Sequence, residues 1–423
     1  MTEASVAPAA ADVKPAIAAV AAAPSVTTGT SARLSVPMLD SFAHEDVTQI
    51  ASQVATHPAL IGKFLLSPPS SSVMEETWSS YSAAQQRNLV NAVPQLVGNL
   101  DGIPFNVRVQ ANAISLKREV AQTKKQLAGV VGKGVRFDLE QQLSTLQKVQ
   151  IALKPVKGGP KRSLWILDDT TGDMRAAIVV GNLNTAHYIS YLVPGMYMSV
   201  DEQIDAWATT AQELYSSQVA WLHRTAAMRP SQVNAGVATV AWIGYQTPEL
   251  MNIGGLQLAT QGASFLEHSI SGLLADRKSN PPYLSILAHS YGSTAALIAL
   301  QSGTVSVNAL ALLGSPGSEA QSVADLDVKN GNVYVAQAGL DPVVHSAFFG
   351  SDPGSASYGA HHMSVSGGID PIDHQKLSAS YGHNAYFTKG TESMRNLALI
   401  GVGLDQLITV PGSNKAATTD AAK

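Results

Sequence analysis

Tyr283–Leu300 reads YLSILAHSYGSTAALIAL, and the reading of this stretch decides the rest. Leu284 to Ala288 has the apolar texture of a buried strand. Ala295 to Leu300 has that of a helix, and small residues separate the two. Ser290 stands on the corner, with Ala288 two residues before it and Gly292 two after. The spacing is that of a nucleophile elbow, G-x-S-x-G, with Ala in place of the first Gly. A strand that turns sharply into a helix holds its corner residue in a strained backbone conformation and leaves room only for small neighbours. The helix that follows aims its free N–H groups and dipole at the serine, which favours an anion there. The same residues would also suit an ordinary strand, turn and helix, so the remaining sequence has to decide.

The bulk properties are those of a soluble globular chain. The 423 residues are enough for a full α/β domain with a smaller region beside it. Hydrophobic residues make up 45% and mean hydropathy is near zero. No apolar run is long enough to span a bilayer. A formal net charge of −4 gives no support for a nucleic-acid-binding surface. The absence of cysteine excludes disulfides, thiolate metal sites and a cysteine nucleophile. Residues 1–37 are rich in Ala, Pro, Val, Ser and Thr, and are expected to form a disordered tail, as are 409–423. Ala16 to Ala23 could pass for the apolar core of a signal peptide. Glu3 and Asp12 precede it with only Lys14 as a cation, where a positive start is wanted. That favours a cytoplasmic chain over a secreted one.

Residues 38–155 read as a helical N-terminal region. Val109, Ala113, Leu116 and Val120 share one helical face, and Leu139, Leu143, Leu146 and Val149 share another. Gly129 to Gly134, GVVGKG, breaks the pattern as a helical hairpin would. Lys154 to Arg162 is a Pro/Gly-rich joint, and 160–408 then changes texture. Strands are expected at Ser163–Asp169, Ala176–Val180, His187–Val193, Val237–Ile243, the elbow strand, Val307–Leu313, Asn332–Ala338 and Met363–Ser366. Ser199 with Glu202 marks a helix start, with Ile204, Trp207, Ala211, Leu214 and Leu222 facing inward. Strands alternating with helices imply a mostly parallel sheet of about eight strands, with the elbow on the fifth.

Several segments go further than this ordering: Leu96–Pro104 (LVGNLDGIP), Tyr191–Met196 (YLVPGM), Val240–Pro248 (VAWIGYQTP), Leu287–Ser293 (LAHSYGS), Leu312–Gly317 (LLGSPG) and Gly382–Phe387 (GHNAYF). Together they resemble an actinobacterial α/β-hydrolase family of unassigned substrate, over roughly Leu96 to Leu404. The family usually has Gly where this chain has Ala288. The resemblance implies an α/β-hydrolase fold and a Ser-Asp-His triad in that chain order, and no particular substrate.

On that plan Ser290 is the nucleophile, which needs a neighbouring base. His345, His361, His362, His374 and His383 are the downstream candidates, and His383 is chosen for its GH motif in the loop Tyr381–Asn384. Asp341, in Gly339-Leu340-Asp341-Pro342 after the second strand past the elbow, is the expected acid, ahead of Asp352, Asp370 and Asp373. The backbone N–H groups of Tyr291 and of Met196, in Pro194-Gly195-Met196-Tyr197, are the expected oxyanion donors. His361, His362, Asp370, Asp373 and His374 match no metal-ligand spacing, and no metal or cofactor is expected. Ser346 to Gly368 is expected to loop over the site, with Phe348, Phe349, Tyr358 and Met363 as its apolar underside. The expected activity is hydrolysis of a carboxylic ester, the partner a small-molecule or lipid acyl ester, without nucleic acid or membrane span. An acyltransferase with the same triad and a non-catalytic hydrolase-fold scaffold, to which the substitution at Ala288 leans, are the alternatives.

Overall fold

A computed structural model describes residues 37–249 and 254–413. The expected signal-like stretch, most of the N-terminal tail and residues 414–423 lie outside these. Residues 409–413, assigned above to the C-terminal tail, lie within them. Thr409 is buried there, and its hydroxyl donates to Glu392 at 2.6 Å.

Eight strands form one sheet: β1 (Arg162–Asp168), β2 (Arg175–Gly181), β3 (Tyr188–Val193), β4 (Val237–Ile243), β5 (Tyr283–His289), β6 (Ala309–Leu313), β7 (Val333–Ala336) and β8 (His361–His362). Their order is β1-β2-β4-β3-β5-β6-β7-β8. β2 runs antiparallel to both neighbours, and from β4 to β8 every pairing is parallel. The elbow strand is the fifth, as expected. The chain reverses its direction of growth between β3 and β5, where β4 has been laid on the other side. Ligands of open α/β sheets bind at such a point, beyond the carboxyl ends of the strands.

Alternate residues of each strand feed opposite cores. Tyr191 and Val193 of β3, with Ile286 and Ala288 of β5, face one layer, and Leu192 and Leu287 face the other. The period of two makes the central strands apolar on both faces, which is why they read as unbroken hydrophobic runs. The long helices cover these faces: α1 (Phe105–Leu127), α2 (Lys133–Ala152), α3 (Val200–Arg224), α4 (Gln257–Asp276), α5 (Tyr291–Gln301) and α6 (Glu392–Gly401). Ser199 caps α3 by accepting the Glu202 N–H at 3.2 Å, and Ile204, Trp207, Ala211, Leu214 and Leu222 are all buried.

Short helices between Val47 and Asn99 build a core of their own around Phe42, Ile50, Trp78 and Leu96. α1 and α2, in contrast, pack into the core of the sheet through Leu116, Val120, Leu146 and Val149. The joint at 154–162 is therefore no break in packing. One expected helical face is displaced. Ala113 is exposed, and α1 buries Arg108, Asn112 and Glu119 instead. Asn112 Nδ2 donates to the carbonyls of Gly98 (2.9 Å) and Trp165 (2.7 Å), and Arg108 pairs with Asp101 at 2.5 Å. A hydrophobic pattern cannot register a face whose burial is paid for by polar partners.

Candidate active site

Ser290 takes φ 54° and ψ −133°, a conformation that non-glycine residues rarely adopt, and it is 3% exposed. The sharp corner between β5 and α5 imposes it. The small residue at position 292 is demanded by a neighbouring loop, since a Cβ there would lie 2.2 Å from the Pro194 carbonyl oxygen. Gly195 is pressed from the same side. A Cβ on it would lie 2.5 Å from Ser290 Cβ and 3.1 Å from Oγ. The loop after β3 thus runs directly against the serine, and Tyr245 Oη fixes it by donating to the Pro194 carbonyl at 2.8 Å.

The structure brings Ser290, His383 and Asp341 together from three distant parts of the chain. His383 Nε2 lies 2.7 Å from Ser290 Oγ, and Nδ1 lies 2.9 Å from Asp341 Oδ1. An ionised carboxylate only accepts, so Nδ1 carries the proton and Nε2 is left as the acceptor that faces the hydroxyl. The Asp341 side chain is fully buried, whereas that of His383 keeps 17% exposure. Burial alone would raise the pKa of Asp341. Hydrogen bonds from His383, Tyr386 and the Val343 N–H outweigh it and hold the carboxyl below its ordinary range.

Three further residues frame the site, and none was given a role from sequence. Tyr386 Oη donates to Asp341 Oδ2 at 2.6 Å and accepts the Ala338 N–H at 2.9 Å. Gly314, at φ 55°, leaves room at the end of β6, since a Cβ would lie 2.6 Å from Asp341 Oδ2 and 3.1 Å from His383 Cε1. His289, on the strand side of the serine, donates from Nε2 to the His383 carbonyl at 2.6 Å, and its ring lies 4.6 Å from that of His383. Burial, then the neighbouring imidazole, push His289 down to a pKa of about 4, so it is neutral at pH 7. Tyr386 and Gly314 fall within GHNAYF and LLGSPG, the one signal in the sequence that could have pointed to them.

A cleft of about 810 Å³ opens at His383 and His289. Met196, Met198, Trp207 and Phe387 give it apolar wall, and Gln203, Thr210, Glu213 and Lys389 give it polar wall. Met196, on the loop after β3, lines the cleft beside His289 and His383, and Tyr291 is the first residue of α5. The other candidates lie elsewhere. His345 pairs with Asp352 at 2.9 Å, Asp370 with Arg395 at 2.8 Å and Asp373 with Arg224 at 3.3 Å. His361 and His362 form β8, and His374 follows the turn 371–373, its backbone N–H donating to the Asp370 carbonyl. Among the described residues no three His, Asp or Glu side chains cluster as metal ligands would. In the segment Ser346 to Gly368, Phe349, Tyr358 and Met363 are buried, Phe349 against Tyr291 with ring centroids 5.6 Å apart, whereas Phe348 stays exposed.

Among known proteins, a family model described as "Alpha/beta hydrolase" matches residues 169–351. The uncharacterized protein Rv2079 of Mycobacterium tuberculosis is 26% identical over 377 residues, 77% of this chain and 54% of the relative. The uncharacterized protein Rv0963c of the same species is 29% identical over 220 residues, 50% of this chain and 80% of the relative. The chain spans about half the length of the first of these relatives. A crystal structure of an esterase/lipase from an uncultured bacterium aligns with 68% of this chain and 98% of its own, at 13% identity and a TM-score of 0.36. The strand order, the serine corner after the fifth strand and the family match over 169–351 make this chain an α/β-hydrolase-fold protein.

Proposed function

We propose that the chain hydrolyses carboxylic esters through an acyl-enzyme formed on Ser290. The observation that carries this reading is the 2.7 Å approach of His383 Nε2 to Ser290 Oγ on a strained corner, with Asp341 2.9 Å behind the imidazole. His383 takes the hydroxyl proton as Oγ attacks the ester carbonyl carbon. The backbone N–H groups of Tyr291 and Met196 receive the negative charge that forms on the carbonyl oxygen. Asp341 holds the imidazole in one tautomer and stabilises the imidazolium. The tetrahedral adduct then expels the alkoxide, which takes the proton from His383 and leaves as the alcohol. Water attacks the acyl-enzyme with His383 again as base, the acid departs, and Ser290 recovers its proton.

The mixed wall of the cleft suits an acyl ester rather than a highly charged substrate. A panel of p-nitrophenyl esters of increasing acyl length tests the proposal. Turnover is expected on the short esters, and His383→Ala should lower kcat by about a thousandfold or more. Equal turnover by parent and His383→Ala would overturn it.

A further inference from the structure

The hairpin of α1 and α2 overshoots the sheet on the side where the serine opens. At its lower end Arg162 Nη1, at the start of β1, donates to the Ala152 carbonyl at 2.9 Å. Higher up, Gln142 Nε2 reaches Asp169 Oδ2, just past the end of β1, at 3.4 Å. Thr145 Oγ1 donates to Asp201, in the first turn of α3, at 2.9 Å. β1 and the strands from β4 to β8 point the same way, because β2 is antiparallel to both β1 and β4. Asp169 therefore marks the carboxyl edge, the edge that carries Ser290, Asp341 and the Met196 loop. From Gln142 back to the start of α2 at Lys133 the helix runs on for about 13 Å of its own length past the level of that edge.

The overshoot carries two kinds of side chain. Val130, Val135 and Phe137 are 106%, 55% and 61% exposed. Lys124, Lys125, Lys133 and Arg136 flank them in the chain and are exposed as well. Asp138 and Glu140 lie on the same stretch of α2 and are exposed too, so the cations outnumber the acids there by two. The chain as a whole has a formal net charge of −4, so the tip is opposite in sign to the molecule. The loops at the mouth repeat the apolar theme. Leu340 beside Asp341, Tyr381 two residues before His383, and Phe348 are 90%, 68% and 60% exposed.

We infer that the α1–α2 tip docks the protein on an anionic lipid bilayer, with the serine cleft facing the membrane and a lipid ester as its substrate. The match is one of layering. Apolar side chains at the very tip reach the acyl boundary while Lys and Arg beside them meet the anionic head groups. A polynucleotide would satisfy the cations and leave Val130, Val135 and Phe137 in water. The choice of a lipid ester rests on the esterase reading above, whereas the docking does not.

Docking is read on the Ser290→Ala chain, so that no turnover is involved, by co-sedimentation with vesicles. Phosphatidylcholine vesicles with about one-third phosphatidylglycerol should bind it, and pure phosphatidylcholine vesicles should bind it far less. Val130→Asp with Phe137→Asp should weaken binding by about tenfold or more, and Lys124→Gln with Lys125→Gln by about fivefold or more. Added salt should weaken it as well. Thermal unfolding of both variants should match the parent, since the side chains are exposed. Failure to bind anionic vesicles, equal binding to neutral ones, or variants that bind like the parent would overturn the docking. So would a tip whose substitution abolishes binding to a nucleic acid or protein and leaves vesicle binding intact. A wild-type chain that cleaves soluble esters yet ignores vesicles would overturn this inference alone; vesicle binding without ester cleavage would overturn the lipid-ester assignment.

Discussion

Tyr386→Phe removes one oxygen atom and leaves the ring, so its effect can be worked from two hydrogen bonds. The hydroxyl donates to Asp341 Oδ2 at 2.6 Å and accepts the buried Ala338 N–H at 2.9 Å. A hydrogen bond to a charged group contributes about 1.5–3 kcal/mol, and an orphaned buried N–H costs about 1–3 kcal/mol. Asp341 keeps its bonds from His383 and the Val343 N–H, so the two costs are shared with what remains. A loss of about 2–4 kcal/mol in unfolding free energy at pH 7 is expected. The sign with pH follows from the carboxyl. Its folded pKa lies below the ordinary 3.8, so its contribution is present above that value and is lost as pH falls through the folded pKa. The difference between variant and parent should therefore shrink in strong acid. Catalysis should suffer too, because a carboxylate free to rotate holds the imidazole less firmly. About tenfold in kcat, equal to about 1.4 kcal/mol, is expected. Urea unfolding at several pH values and the turnover of a short p-nitrophenyl ester read both effects. A variant within about 0.5 kcal/mol of the parent, with full turnover, would refute the role given to Tyr386.

Two titratable groups tilt stability with pH in opposite directions. His289 has a folded pKa of about 4 against an ordinary 6.5, so the unfolded chain binds more protons between these values; stability should fall by about 3 kcal/mol as pH drops through that window, and His289→Gln should lose that slope. Glu119 is raised to about 7 by burial and then by the charge of Asp169, so stability should fall as pH rises from about 4.5 to 7. Glu119→Gln, which keeps an acceptor for Gln95, should gain up to about 3 kcal/mol above pH 7 in the same urea titration.

The sheet was legible because its strands are buried on both faces. A strand such as β5 shows as an apolar run whatever its neighbours are, and seven such runs fix the class of fold; the eighth strand is the partly exposed pair His361–His362 and not the expected Met363–Ser366, whose apolar residues are buried just past it. The strand order, with β4 laid outside β3, is visible only in the structure, since nothing in a run of Val and Ala says which neighbour it will pair with. The elbow could be read because a strained corner needs small residues at fixed distances, and those distances lie within one short segment. The packing of Gly292 against the Pro194 carbonyl and of Gly195 against Ser290 could not, because each is a contact between the ends of neighbouring strands nearly a hundred residues apart.

The same distinction separates Asp341 and His383 from Tyr386 and His289. Asp341 is legible from its place after β7, and His383 from a two-residue motif. Tyr386, three residues on from His383, had a place in the chain as well, but its work is a hydrogen bond to a carboxylate 45 residues earlier. His289 reads as an ordinary neighbour of the serine until the His383 carbonyl is seen 2.6 Å from its ring. The face of α1 failed for a related reason. Arg108 and Asn112 are buried because the carbonyls of Gly98 and, on β1, Trp165 receive them, so the residues that pattern as polar surface are those that hold the helix down.

The central claim is that Ser290 is an activated nucleophile, and labelling measures that without knowledge of the substrate. A fluorophosphonate probe applied to the native chain, followed by peptide mass spectrometry, should place one adduct on Ser290. The adduct should vanish in Ser290→Ala and fall by about a hundredfold or more in rate in His383→Ala. A native chain that takes no label, or a Ser290→Ala chain that labels as fast as the parent, would contradict the account.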